Sequence, residues 1–318
     1  MTIRRRTAIA TLWSLALVTA CADRQSRLTP GEGSLPVPGG QIWYRVTGTG
    51  SATPVVLLHG GPGAPSYYLN PLVALRDERP VIIYDQLGAG RSDRITDTTR
   101  MTIASYVAEL DSLRRALGLE RFHVLGHSWG TILGVEYALA HPEQVTSLIL
   151  ASPALSIPRW LADADSLLGT LPDTLQRAIA RHEAAGTFDS PEYQGAVVAF
   201  YRLYLSRLDP WSPDIDSTFA EFGPAVYEYM WGPSEFTGVG TLKDYDVTSS
   251  LGRLRAPTLL TTGEYDEALP ATVRYYASLI PGAEVAIIPG AAHLTMQDNP
   301  AENLRVVRAF LRSVDQRR

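Results

Sequence analysis

One stretch of the 318-residue chain has the residue types and spacing for covalent chemistry: Gly126-His127-Ser128-Trp129-Gly130. Glycines two positions either side of a serine suit a tight turn that holds the serine backbone under strain and exposes its hydroxyl. Phe122-His123-Val124-Leu125 before it is short and apolar, as a buried strand should be. Thr131 to Ala140 after it is small and apolar, as a helix packed on a sheet should be. A serine at such a strand-to-helix turn is placed to attack a carbonyl carbon. Its hydroxyl is a poor nucleophile until a base takes the proton, and that base must be oriented by a third group.

Those partners must be carried by other elements. Gln41 to Thr47 alternates as an edge strand, and Pro54 to Leu58 is a buried strand that runs into His59-Gly60-Gly61-Pro62-Gly63. Val81 to Tyr84 is a third strand, followed by Asp85-Gln86-Leu87-Gly88-Ala89-Gly90-Arg91-Ser92. Thr102 to Leu117 carries apolar residues at helical spacing and stops at Gly118. Val145 to Leu150, Pro257 to Thr261 and Glu284 to Ile288 read as later strands, with helices starting at Thr272 and Pro300. Strands alternating with helices indicate a mostly parallel sheet covered on both faces. With the serine turn, this is the pattern of the α/β-hydrolase fold. The rhythm breaks over 156–250, which holds 14 of the 28 aromatic residues and reads as a helical cap inserted over the active site. Ser190-Pro191-Glu192 there is a helix start, with Tyr193, Val197, Tyr201 and Tyr204 on one face, chiefly as packing. The expected division is a signal peptide at 1–20, a tether at 21–38, a hydrolase core at 39–155 and 251–318, and the cap at 156–250.

In this fold the chain order is serine, acid, histidine, the last two on loops after late strands. His293 is the one histidine after the cap, so it is the expected base. The loop Gly263-Glu264-Tyr265-Asp266-Glu267 offers three acids in four positions. The fold's usual G-x-x-D pattern points to Asp266 as the orienting acid. Acids this close repel one another, so at least one of the others is expected to have a cationic partner. An oxyanion hole needs two backbone N–H groups aimed at the developing charge. Trp129, after the nucleophile, and Gly61, in the glycine-rich loop, are the expected donors, with His59 orienting that loop.

The motifs HGGPG (59–63), DQLGAGRS (85–92) and GHSWG (126–130) resemble those of the proline iminopeptidases, serine aminopeptidases of the α/β-hydrolase fold. SPEYQ (190–194), GPSEFTGVGTLKDYDVT (232–248), TGEYDEALP (262–270) and AHLTM (292–296) look most like the tricorn-interacting aminopeptidases. The resemblance covers nearly everything from about residue 40 onward. It implies that Glu235 and Glu267 hold the free α-amino group of the substrate, a role suited to two carboxylates converging on one ammonium. It implies removal of an N-terminal residue, preferably proline, through an acyl-enzyme, without metal or cofactor. Short peptides or amino-acid amides with a free N-terminus are the expected partners. The relatives typically have Asn where this chain has Ser234, a change expected to alter how Glu235 is held.

Composition agrees with a soluble enzyme: 45% hydrophobic, 19% charged, and a net charge of −5 that gives no reason to expect nucleic acid. At the N-terminus, Arg4-Arg5-Arg6 precedes an apolar run, Thr7 to Ala20, of signal-peptide length. The run ends Leu17-Val18-Thr19-Ala20-Cys21, which resembles a bacterial lipobox; Cys21, the sole cysteine, is the expected lipid attachment site. An exported, membrane-anchored lipoprotein is therefore expected, whereas most relatives are cytosolic. Two other readings use the same residues. One is an amino-acid amidase or small-ester hydrolase on the same triad, indifferent to the two glutamates. The other is a non-catalytic peptide-binding lipoprotein on a retired scaffold.

Overall fold

The computed structural model describes residues 28–317. The expected signal peptide and Cys21 lie outside the described residues. Eight strands form one sheet: β1 (Gly31–Val37), β2 (Gly40–Thr47), β3 (Val55–Leu58), β4 (Val81–Tyr84), β5 (Phe122–His127), β6 (Val145–Ala151), β7 (Thr258–Gly263) and β8 (Glu284–Ile288). Their order is β1-β2-β4-β3-β5-β6-β7-β8. β1 and β2 pair antiparallel, as do β2 and β4, and every other pairing is parallel. This is the α/β-hydrolase fold.

The strand side chains alternate between two cores, as a period of two demands. Val56, Leu58, Ile82, Val124 and Leu148 face one apolar cluster. Val55, Leu57, Ile83, Leu125 and Ile149 face the other. Helices α1 (Ile103–Ala116) and α2 (Trp129–Ala140) cover the first face. The Thr102 side chain caps α1 by accepting the Ser105 N–H, and Gly118, at φ +64°, follows its end.

Between β6 and β7 the chain leaves the sheet for five helices: α3 (Ile157–Leu168), α4 (Asp173–Ala185), α5 (Pro191–Tyr204), α6 (Pro213–Ala220) and α7 (Pro224–Met230). Tyr193, Ala196, Val197 and Phe200 of α5 pack with Ile179 and Phe236 into a small core of their own. Helix α8 (Pro270–Ser278) follows β7 on the face of α1 and α2. The one-turn α9 (Thr295–Asp298) and the terminal α10 (Pro300–Gln316) close the opposite face, beside the 3-10 segment Ser66–Asp77.

Two expectations need correction. The tether assigned to 21–38 contains β1, so β2 is not the edge strand at this end of the sheet. GEGSLPV reads as linker because glycine, serine and proline dominate it. It nevertheless pairs with all of Gly40 to Val46 in a hairpin, and Leu35 and Val37 pack against the core. A strand whose support comes from its partner leaves little mark in its own composition.

Candidate functional site

The nucleophile turn is built as its residues require. Ser128 follows β5 at φ 53°, ψ −122°, a strained conformation for a side chain with a Cβ, and its N–H donates to the Ala151 carbonyl at 3.0 Å. Space explains the glycines. A Cβ on Gly126 would stand 2.1 Å from the Gly130 carbonyl oxygen, and one on Gly130 would stand 2.3 Å from that of Leu58. Trp129 opens α2, so its N–H is one of the donors a helix leaves without an intrahelical acceptor. Its indole donates to Gln86 Oε1 at 2.7 Å, while Gln86 Nε2 donates to the His59 carbonyl.

His293 and Asp266 meet at the ends of the late strands. His293 Nδ1 lies 2.8 Å from Asp266 Oδ1, which fixes the proton on Nδ1 and leaves Nε2 free to accept. Burial alone would raise the Asp266 carboxyl. The His293 charge and hydrogen bonds from His293, Ser152 and the Gly263 N–H instead hold it below the usual carboxylate range. Ser128 and His293 line one cavity of about 250 Å³, together with Gly61, Tyr201, Tyr227 and Glu235.

The glycine-rich loop is held by side chains rather than by secondary structure. His59 Nε2 accepts the Gln86 N–H at 2.8 Å, so its proton sits on Nδ1, 3.0 Å from the Gly60 carbonyl. Burial lowers the His59 pKa, which keeps the ring neutral and suits a loop strut rather than a proton carrier. The Gly60 N–H donates to the Tyr68 hydroxyl at 2.7 Å. Gly61, at φ +103°, is next in line and lines the same cavity as Ser128; a Cβ there would meet the Gly63 nitrogen at 2.5 Å.

Two contacts around this loop escaped the sequence reading. Tyr68 Oη lies 2.9 Å from His127 Nδ1, and His127 Nε2 lies 3.0 Å from the His293 carbonyl. A carbonyl only accepts, so the His127 proton is on Nε2, and Nδ1 accepts the Tyr68 O–H. One neutral imidazole, its pKa pushed down to about 3 chiefly by burial, thus bridges the glycine-rich loop and the backbone of the base. Ser152, at φ 50°, is the other: its hydroxyl donates to Asp266 Oδ2 at 2.6 Å. No local pattern marks these residues, because their partners are distant in the chain.

The two glutamates lie near His293, Glu267 buried and Glu235 half-buried. Glu235 Oε1 accepts the Tyr227 hydroxyl at 2.9 Å, and Trp160 Nε1 donates to the Glu235 carbonyl at 2.9 Å. Ser234 does not hold that carboxylate; its hydroxyl accepts from Tyr193 and donates to Thr237. Glu267 Oε1 lies 3.9 Å from His293 Nε2, and neither Glu267 oxygen has a hydrogen-bond partner among the described residues. Burial, then the charges of Glu235 and Asp266, drive the Glu267 pKa well above the ordinary value, and burial raises that of Glu235. The cationic partner expected in the acid cluster is not found among the described residues: Glu264 accepts the Gly290 N–H, and Glu267 lies among His293, Glu235 and Asp266. The arrangement is therefore a serine beside an oriented imidazole, with two carboxyl groups, one buried and one half-buried, that have no Lys or Arg partner among the described residues.

Comparison with known proteins finds relatives over most of the chain. Residues 53–300 match the α/β hydrolase fold family. A proline iminopeptidase from Heyndrickxia coagulans is 42% identical over 89% of this chain and 99% of its own length. One from Saccharolobus solfataricus is 37% identical over 89% of this chain and 93% of its own. The crystal structure of a Mycobacterium smegmatis proline iminopeptidase superposes with a TM-score of 0.83 at 38% identity, covering 90% of this chain and 99% of that one. The chain belongs to the proline iminopeptidase family of α/β hydrolases.

Proposed function

We propose that the protein is a serine aminopeptidase that releases an N-terminal residue, proline by preference, from short peptides and amino-acid amides. Ser128 attacks the scissile carbonyl as His293 Nε2 takes its proton, and Asp266 stabilises the imidazolium. The N–H groups of Gly61 and Trp129 receive the oxyanion. His293 then protonates the leaving amine, and water hydrolyses the prolyl-enzyme ester.

The observation that carries this reading is the pair of carboxyl groups at the cavity, buried Glu267 and half-buried Glu235, with no Lys or Arg paired to either among the described residues. A substrate ammonium supplies the missing charge and lets both ionise, which a blocked N-terminus cannot do. The test compares proline-β-naphthylamide, its N-acetylated form and a p-nitrophenyl ester. Ser128→Ala is expected to lower turnover of all by about 10⁴-fold or more. Glu235→Gln and Glu267→Gln are each expected to lower kcat/KM for the free amine about 100-fold and leave the ester within about threefold. Ester turnover with indifference to the amine would instead identify a general esterase or amidase.

Export and lipid attachment at Cys21 are part of the proposal, supported by the arginine cluster, the apolar run and the lipobox-like end. Wild type is expected in the membrane fraction and Cys21→Ser outside it; equal partition of the two would overturn the anchor.

A further inference from the structure

We infer that, in the anchored protein, the amino edge of the sheet faces the lipid surface and the mouth of the cavity faces away from it. Its substrates are then peptides free in the aqueous phase, and a peptide held at the same lipid surface is out of reach. This rests on the lipid attachment and the aminopeptidase activity proposed above.

Strand direction decides where the tether joins the fold. β3, β4 and β5 run parallel, with Val55, Val81 and His123 level at their amino ends. β2 runs against them, with Thr47 opposite Val81, and β1 runs against β2, with Gly31 opposite Val46. Two reversals return β1 to the direction of β4, so β1 begins at the amino edge. Ser128, Asp266 and His293 follow the carboxyl ends of β5, β7 and β8. The exposed residues among those lining the cavity, Gln194, Phe219, Pro224 and Glu228, all belong to the cap. The chain therefore enters the fold at one pole, and the cavity opens at the other.

Length fixes the orientation. Leu28, three residues before β1, packs against the core. Only residues 22–27 separate it from Cys21, a run that spans at most about 25 Å whatever its conformation. A domain of this size is roughly 50 Å across. With Cys21 at the headgroups, the cap cannot turn to the lipid while the amino edge stays within that reach. Charge acts in the same sense. Residues 156–250 hold 14 acidic and 6 basic side chains, whereas 28–155 and 251–318 together hold 18 and 17. At the amino edge, exposed Arg76, Arg121, Arg253 and Arg255 offset Asp77, Glu120 and Glu143. An anionic lipid surface repels the cap more than this edge.

The test uses the full lipidated protein in vesicles of phosphatidylcholine and phosphatidylglycerol that carry an acceptor dye on their headgroups. Cys21 is the sole cysteine and its sulfur bears the lipid, so one introduced cysteine takes the donor dye. Glu120→Cys and Glu143→Cys mark the amino edge, and Asp189→Cys and Asp216→Cys the cap, all at exposed positions. The rate of energy transfer from the amino-edge positions is expected to exceed that from the cap at least about fivefold. Equal transfer, or the reverse order, with the protein still on the vesicles overturns this inference alone. A functional readout compares Pro-Leu-Gly joined through its C-terminus to a headgroup with free Pro-Leu-Gly-NH₂, on vesicles too dilute to meet. Relative to the free peptide, the anchored protein is expected to cleave the lipid-bound one at least about tenfold less well than Cys21→Ser does. Equal ratios for the two proteins also overturn the inference. Wild type that stays off the vesicles as Cys21→Ser does removes the lipid attachment, and this inference with it.

Discussion

His127 sits beside the nucleophile without a place in the proton path, yet it joins two parts of the site that must keep register. Its ring connects Tyr68, and through it the Gly60 N–H, to the carbonyl of His293. His127→Ala leaves the buried Tyr68 O–H without its acceptor and takes one of two donors from the His293 carbonyl, a loss of about 1–3 kcal/mol in stability by denaturant titration. Loosened registry between oxyanion loop and base is expected to lower kcat about tenfold with KM little changed. Glutamine can accept from Tyr68 and donate to His293, so His127→Gln should recover most of both; equal damage from the two would refute the bridging role. At this scale the nucleophile was legible, since its requirements are local: small residues where a Cβ would strike Gly130 or Leu58. The imidazole bridge was not, because Tyr68 and His127 lie 59 positions apart and meet only when the sheet forms. Glu267 lay between these cases. Its nearness to Asp266 was plain in the loop, but its lack of a counter-charge depends on how cap and core close.

Among the elements, α1 carries a buried acid that the strand-and-helix pattern does not disclose. Glu109 faces the 85–92 loop, where both its oxygens stand 3.3 to 3.4 Å from the Leu87 nitrogen. Burial raises its pKa from 4.5 to about 8. The folded protein therefore holds a proton there that the unfolded chain releases at lower pH, so stability falls as pH rises from about 4.5 to about 8. Glu109→Gln keeps an acceptor for Leu87 and removes the titration. At pH 5 the variant should match the wild type; at pH 8 it should be more stable by on the order of 2 kcal/mol in urea melts. A gap that does not change with pH would refute this. The elements themselves were readable where they are strongly periodic or capped, as in α1 from Thr102 to Gly118. The strand β1 was hidden because its two glycines and its proline argue for a linker, and only pairing with β2 decides otherwise.

For the whole molecule the question is how a cap of five helices stays seated on the sheet. Part of the answer is a single side chain: Arg94 reaches from the core loop to the carbonyls of Glu221 and Phe222 while also holding Gly88. Gly223 N–H donates to the Gly63 carbonyl next to it, and a Cβ on Gly223 would stand 2.2 Å from the Gly88 oxygen. Arg94→Ala is expected to raise hydrogen exchange across 213–230 and to raise KM for prolyl amides about three- to tenfold. Unchanged exchange there would show that the apolar contacts alone seat the cap. The cap also reaches the chemistry: the Tyr204 and Leu205 carbonyls accept the N–H groups of His293 and Leu294 at 3.0 and 2.8 Å.

Where the cap leaves and rejoins the core, its two ends are tied together. The Ile157 N–H donates to the Tyr245 carbonyl, the Val247 N–H to the Leu155 carbonyl, and Ser156 pairs with Asp246. Some ninety residues thus depart and return through one doorway, and the sheet feels them as an insertion at a single point. The strands on either side of that doorway, β6 and β7, pair with each other directly. Most of the apolar lining of the cavity is consequently written on that one insertion, while Ser128, Asp266 and His293 lie outside it. A different cap would reshape that lining and leave the nucleophile, acid and base on the same strand ends, provided it brought two carbonyls to the backbone of the base as Tyr204 and Leu205 do.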